Sequence, residues 1–215
     1  KGRARAVITN IEHRALLTML PNRELDTLHA YFTSADFDPK QVEVLTIDMW
    51  NPYRLLAKKT FPHAKVVVDK FHVVQLVTRA METVRREERA RLRKLRVANL
   101  LGNRHMFLRN HETLTEGPMV DTLEVALGQH PIVKVAYDLK EGFRKVWDAK
   151  SRAEAEAIYQ DWAHAALDSK CGPVFAPVIR SVSNWREEIF AYFDVQLTNA
   201  YTESFNALAR KMNRA

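Results

Sequence analysis

The sequence predicts an α/β protein: a strand–helix–strand unit in the first third of the chain, then a long, all-helical stretch. Three observations carry that prediction. Two apolar, β-branched runs, residues 42–48 and 64–69, each end on an aspartate. Between them Asn51-Pro52 opens a helix, proline being well tolerated in a first helical turn. From Phe71 onward apolar residues recur at steps of three and four, the period of a helix that buries one face.

Taken in order, residues 5–9 read as a short strand, and residues 22–33, with Leu25, Leu28 and Phe32 on one side, as an amphipathic helix. The run Val42-Glu-Val-Leu-Thr-Ile-Asp48 is a buried strand with its acid at the C-terminal end. Residues 53–60 form a short helix that stops before Pro62, and Ala64-Lys-Val-Val-Val-Asp69 repeats the strand-then-acid design. Strand, helix, strand within about 30 residues is a βαβ unit with parallel strands. Asp48 and Asp69 therefore belong at the same sheet edge, where open α/β sheets bind ligands. The next helix buries Val73, Val77, Ala80 and Val84 and runs into residues 85–96, where seven basic side chains face two acidic ones. Such a run is either a solvated face or a phosphate-contacting one. Between about 95 and 192 the pattern is helical, residues 131–147 and 152–167 being the clearest segments. Gly117-Pro118, Gly128 with Pro131, and Gly172-Pro173 punctuate it. A last helix starts near Asn199, and the chain ends inside it with no C-cap signal, as a piece of something longer would.

With 215 residues, 47% of them hydrophobic, the chain can bury a substantial core. No apolar run approaches the roughly 20 residues of a membrane span, and Lys1-Gly-Arg-Ala-Arg5 lacks the apolar segment of a signal peptide. A soluble, non-secreted protein is expected. The single cysteine, Cys171, excludes an internal disulfide and a multi-cysteine zinc site. A net charge of +7 favours a polyanionic partner.

Several residues have both a chemical and a plain structural reading. Asp48 ends an apolar strand, so its carboxylate is partly desolvated unless it caps the next turn or meets a cation. Asp69 is either a ligand or the cap of the helix that follows it. His72, in that helix's first turn, hydrogen-bonds Asp69, ligates a metal or packs. In the last helix Asn199, Glu203, Asn206 and Arg210 share a polar stripe opposite Tyr201, Phe205, Leu208 and Met212. Periodicity alone makes Glu203 a solvated residue. Trp147, Trp162 and Trp185 are core residues or platforms for unpaired bases.

Several blocks, in order, resemble the ISL-three family of bacterial insertion-sequence transposases. They are Val44-Leu-Thr-Ile-Asp48-Met49 with Pro52-Tyr53, then Pro62-His-Ala-Lys-Val-Val-Val-Asp69-Lys-Phe-His72-Val-Val, the arginine-rich helix, and Leu197-Thr-Asn199-Ala-Tyr-Thr-Glu203-Ser-Phe-Asn206. The resemblance spans essentially the whole chain. It implies an RNase H-like catalytic core interrupted by a large all-helical insertion. Residues 1–94 would be the first part of the core, 95–192 the insertion, and 193–215 a final core helix bearing the last acid. It further implies that Asp48 and Glu203 are the second and third catalytic, metal-holding carboxylates, with Asp69, His72, Asn199 and Asn206 as a supporting motif. The first catalytic Asp of the family lies upstream of a Lys-Gly pair like Lys1-Gly2, so here it would precede Lys1. The chain alone would then be inactive.

The activity so implied is that of a polynucleotidyl transferase: Mg²⁺- or Mn²⁺-dependent cleavage and strand transfer of DNA. The partners are element ends and target DNA, bound by a homo-oligomer in the bacterial cytoplasm, associated with the nucleoid and not with a membrane. Arg85, Arg86, Arg89, Arg91, Arg93 and Arg96 would contact phosphates without reading sequence. A domain that reads the terminal repeats would lie outside this chain. The competing readings are a catalytically inactive basic DNA-binding relic and a helical protein-interaction module.

Overall fold

The strand expected at residues 5–9 is one arm of a hairpin. The computed structural model describes residues 6–97, 99–114 and 117–195. These divide into two compact units, one comprising the described residues up to Lys70 with Asp194 and Val195 and the other those of Phe71–Phe193. In the first, strand β1 (Ala6–Asn10) pairs antiparallel with β2 (Ala15–Leu20), with a register shift between Ile8 and Thr9. Arg14 closes the connection in the left-handed region at φ 49°. Strand β2 has no counterpart in the sequence reading. Its Leu16 and Leu17 are consecutive and both exposed, so the segment lacks the alternation that marks a half-buried strand.

Helix α1 (Leu25–Phe32) turns Leu28 and Phe32 inward. Strand β3 (Val44–Ile47), helix α2 (Asn51–Thr60) and strand β4 (Lys65–Val68) form the expected βαβ unit, with Pro52 in the first turn of α2. The strands are parallel and in register from Val44 opposite Lys65 to Ile47 opposite Val68. Ala6, Leu28, Phe32, Leu56 and Phe61 make the core of this unit, with Ile8, Leu20, Phe37, Leu45 and Tyr53 packed on it. Phe32 meets Phe37 and Phe61 edge-on, with ring centroids 5.1 and 5.0 Å apart, an arrangement aromatic quadrupoles favour. Lys65 pairs with Asp194 at 3.4 Å, which ties the returning chain to the start of β4. Among the described residues the strands make two separate two-stranded sheets.

Helix α3 (Lys70–Lys94) buries Val73, Val77, Ala80 and Val84, the face its periodicity predicts, and Met81 and Leu92 as well. The second unit continues through α4 (Arg104–Leu108), α5 (Pro118–Gln129), α6 (Pro131–Arg144), α7 (Arg152–Asp168), α8 (Gly172–Asn184) and α9 (Arg186–Phe190), and its boundary falls within the short α10 (Tyr192–Val195). The expected helix at 131–147 is α6 followed by a 3-10 turn, Lys145–Asp148. Trp147, Trp162 and Trp185 are all buried. Trp162 donates from Nε1 to the Leu139 carbonyl at 2.8 Å and lies against Phe143. The three indoles are thus core residues and do not offer open faces to bases. Cys171 is buried as well, its thiol pushed up in pKa by burial.

Two cations of this unit are buried and ion-paired. Lys140, 3% exposed, donates to the Arg109 carbonyl at 2.5 Å and to Glu141 at 2.6 Å. Burial lowers its pKa, and Glu141 opposes that shift. Arg85 is equally buried and is held by Glu82 on two nitrogens, each at 2.7 Å. No helix among the described residues is long and apolar enough to cross a membrane.

Two glycines give opposite expectations. A Cβ on Gly172 would lie 2.5 Å from the Leu167 carbonyl oxygen, whereas one on Gly128, within α5, meets nothing within 4 Å. Gly172→Ala should lower the unfolding free energy by about 1–3 kcal/mol through overpacking. Gly128→Ala should raise it by roughly 0.5–1 kcal/mol through backbone entropy. Urea denaturation of the two variants checks both signs.

Candidate metal centre

Parallel pairing places the site. The last paired residues are Ile47 and Val68, and the next residue on each strand is an aspartate, Asp48 and Asp69. Because the strands run the same way, both carboxylates emerge at one edge. The Asp69 amide extends the ladder by donating to the Ile47 carbonyl at 2.9 Å, which locks the two chain ends side by side. The chain then enters α3, and His72 falls in its first turn. One ligand atom each from Asp48, Asp69 and His72 all lie within 4.8 Å of one another. Asp69 is buried, and Asp48 and His72 are half-buried.

This grouping bears on the structural alternatives. The N-cap position of α2 is held by Trp50, whose amide donates to the Asp48 backbone carbonyl at 2.7 Å. Two carboxylates at such a separation, one of them withdrawn from water, repel strongly unless a proton or a cation is shared. Oxygen donors suit Mg²⁺ and Mn²⁺, Mg²⁺ typically taking one or two carboxylates and retaining waters, and the imidazole adds one softer donor. The donor set therefore fits a hard divalent cation with open coordination positions.

A basic and aromatic flank adjoins Asp48. Arg23 lies 4.6 Å from the Trp50 ring centroid, and Trp50 meets Tyr53 edge-on at 4.8 Å. Burial first, then the Asp48 charge, raises the Tyr53 pKa, and Arg23 lowers it. Tyr53 is thus within the electrostatic reach of Asp48. The sequence reading noted Pro52-Tyr53 only as a motif match, and nothing in the local pattern of Arg23 pointed to this edge.

Glu203, Asn199 and Asn206, with the rest of the segment expected from the sequence to be a final helix, lie outside the described residues. The arginines of α3 fall into distinct groups. Arg85 is turned inward, bonded to Glu82 and to the Leu101 carbonyl, because its position lies on the buried stripe of the helix. It has no free face for a phosphate. Arg91 is exposed but held by Glu88 through two 2.7 Å contacts. Arg89 is half-buried, and Arg86, Arg93 and Arg96 are exposed.

A parallel βαβ unit with two acids at its carboxyl edge belongs to the general class of α/β proteins, in which that edge is the usual place for a ligand. Within that class the particular family follows from the comparisons. A family model described as Transposase, that of the DDE transposases of the ISL-three group, matches residues 1–215. The chain belongs to that family. It is similar to the Bordetella parapertussis protein named "Transposase for insertion sequence element IS1001", with 28% identity over 160 residues. The match covers 73% of this chain and 39% of that relative, so it spans about two-fifths of the relative's length. No solved structure matches the chain.

Two measurements probe the edge. Mn²⁺ titration followed by electron paramagnetic resonance should detect a site that Asp48→Asn and Asp69→Asn each weaken by about tenfold or more, as loss of a ligand or its orienting partner does. Absorbance titration of the tyrosines should place Tyr53 above its ordinary value of 10.0. Asp48→Asn should lower that pKa without restoring it fully, because burial remains, and Arg23→Ala should raise it further.

Proposed function

We propose that this chain carries part of the catalytic region of a DNA transposase, an RNase H-like core with a helical insertion over 95–192. Asp48 and Glu203 would be two of its metal-holding, catalytic carboxylates. The observation that carries the reading is the juxtaposition of Asp48, Asp69 and His72 at one strand edge, in a chain of the transposase family. The partner is DNA, both element ends and target. The protein works as a homo-oligomer on it, in the bacterial cytoplasm at the nucleoid.

The reaction is hydrolysis of a phosphodiester at an element end, which frees a 3′-OH, followed by attack of that hydroxyl on a target phosphodiester. The bond to the target's own 3′-oxygen breaks as the new bond forms. Bound Mg²⁺ or Mn²⁺ supplies stabilisation of the attacking and leaving oxygens. Asp48 holds its carboxylate rigidly because it continues a paired strand, and rigid placement is most of what such a site contributes. Asp69 and His72 orient the edge from the adjoining strand and helix. Glu203 would add the further carboxylate, with Asn199 and Asn206 on the polar stripe that the sequence pattern predicts for it.

Chain geometry supports including Glu203. Asp194 pairs with Lys65 at the start of β4. From there the carboxyl edge lies four residues along the strand, about 13 Å. The nine residues from Asp194 to Glu203 cover about 13 Å as a helix and about 30 Å extended.

The test is Mg²⁺-dependent cleavage of a duplex bearing the element's terminal repeat by the full-length protein. Asp48→Asn and Glu203→Gln should each abolish cleavage, a loss of at least about 10³-fold, while leaving DNA affinity intact. Cleavage that survives either substitution contradicts the assignment of that carboxylate.

A further inference from the structure

The C-terminal end of α3 combines three features that its fold does not require. The first is a backbone conformation costly for the residue that adopts it. The Arg96 amide donates to the Arg93 carbonyl at 3.1 Å and the Val97 amide to the Leu92 carbonyl at 3.0 Å, a paired closure of the helix end. In such a closure the residue in the left-handed region is usually glycine. Here it is Arg96, at φ 55°, where a side chain crowds the backbone. The second is exposure. The residue after the left-handed one normally folds its apolar side chain back onto the helix. Val97 is 49% exposed and Leu95 59%, although Leu92 beneath them is buried.

The third feature is charge. No Asp or Glu occurs from Arg89 to His111, a stretch that holds six arginines and one lysine. Of the acids that precede it on α3, Glu88 is bonded to Arg91 and Glu82 to Arg85, which leaves the exposed Glu87, one or more helical turns back from Arg93, Lys94 and Arg96, as the nearest acid outside an ion pair among the described residues. Arg93, Lys94 and Arg96 are exposed and have no ion-pair partner among the described residues. The chain leaving the turn is pinned. Asn99 donates to the Val97 carbonyl at 3.4 Å and accepts from the Leu101 amide at 3.2 Å. Leu101 is fully buried, and its carbonyl is gripped by the Arg85 guanidinium. Arg85 therefore has a positioning role behind the turn.

We propose that this turn, residues 93–97, is a DNA contact that deforms the duplex. Arg93, Lys94 and Arg96 hold phosphates, and Leu95 and Val97 press between them against the base step. Aliphatic side chains flanked by cations are the means by which groove-binding proteins unstack a step while staying anchored to the backbone. A second copy of the chain is the poorer occupant, because it would bring the same cations face to face. The strained arginine is then retained for what its guanidinium reaches. The inference rests on the DNA transposase reading and adds to it a contact remote in sequence from the carboxylates.

The test uses the full chain and a terminal-repeat duplex carrying 2-aminopurine at successive positions. Arg96→Gly should raise the melting temperature by about 2 °C or more, since it relieves the backbone. It should also weaken DNA binding about tenfold at 0.1 M salt and flatten the salt dependence by about one unit of log–log slope. Arg96→Lys should keep both the strain and most of the affinity. Leu95→Ser with Val97→Ser should bind within about threefold of the parent yet lose the 2-aminopurine fluorescence increase that reports unstacking. An Arg96→Gly protein that melts higher but binds DNA like the parent, with the same salt slope, overturns the inference and leaves the transposase reading standing. A parent that binds no duplex at low salt overturns both. Self-association abolished by the two serine substitutions, with DNA binding unchanged, overturns it in favour of a contact between copies.

Discussion

Parallel pairing between β3 and β4 is the constraint on which the candidate site depends. An antiparallel pair would send the residues after Ile47 and Val68 to opposite ends. The crossover through α2 sends them to one, and the bond from the Asp69 amide to the Ile47 carbonyl carries the ladder one step past the last paired residues. Two acids thereby share an edge, one of them buried, an arrangement that tertiary pairing imposes and local sequence preference does not. With His72 beside them, the two acids form a donor group that could hold a metal ion.

The second unit is stabilised differently. Its core is aromatic and aliphatic, and it also closes over two cations, Arg85 and Lys140, each of which grips a backbone carbonyl and a neighbouring carboxylate. Buried pairs of this kind add little net stability, but losing one partner is expensive. Their structural effect is local: each fixes the start or end of a connecting segment. Arg85 does this for the chain that returns from the end of α3, the place where exposed cations and exposed aliphatics coincide.

Much of this was legible in the sequence, for identifiable reasons. The runs at 42–48 and 64–69 are short, β-branched and punctuated by Asn-Pro and Pro, so strand, helix and strand could be told apart, and an acid at each strand end followed directly. Helices α3, α6 and α7 declared themselves by periodicity. Strand β2 did not, because Leu16 and Leu17 are adjacent and exposed. The fate of the arginines was also hidden. Composition counts charge without direction, and one helical step separates Arg85, which is buried, from Arg86, which is exposed. Whether Asp48 and Asp69 cap or ligate could not be read from their positions, since both roles use the same place on a strand. Their mutual approach with His72 is a fact of tertiary structure. Glu203 rests on the family motif and on the reach of the chain after Asp194.

The most direct test of the central claim is the anomalous signal of Mn²⁺ in crystals of the full-length protein. The account predicts a peak about 2.0–2.3 Å from a carboxylate oxygen of Asp48, with Glu203 in or beside the same coordination sphere. A peak held by other residues, or Asp48 and Glu203 on opposite sides of the molecule, would contradict it.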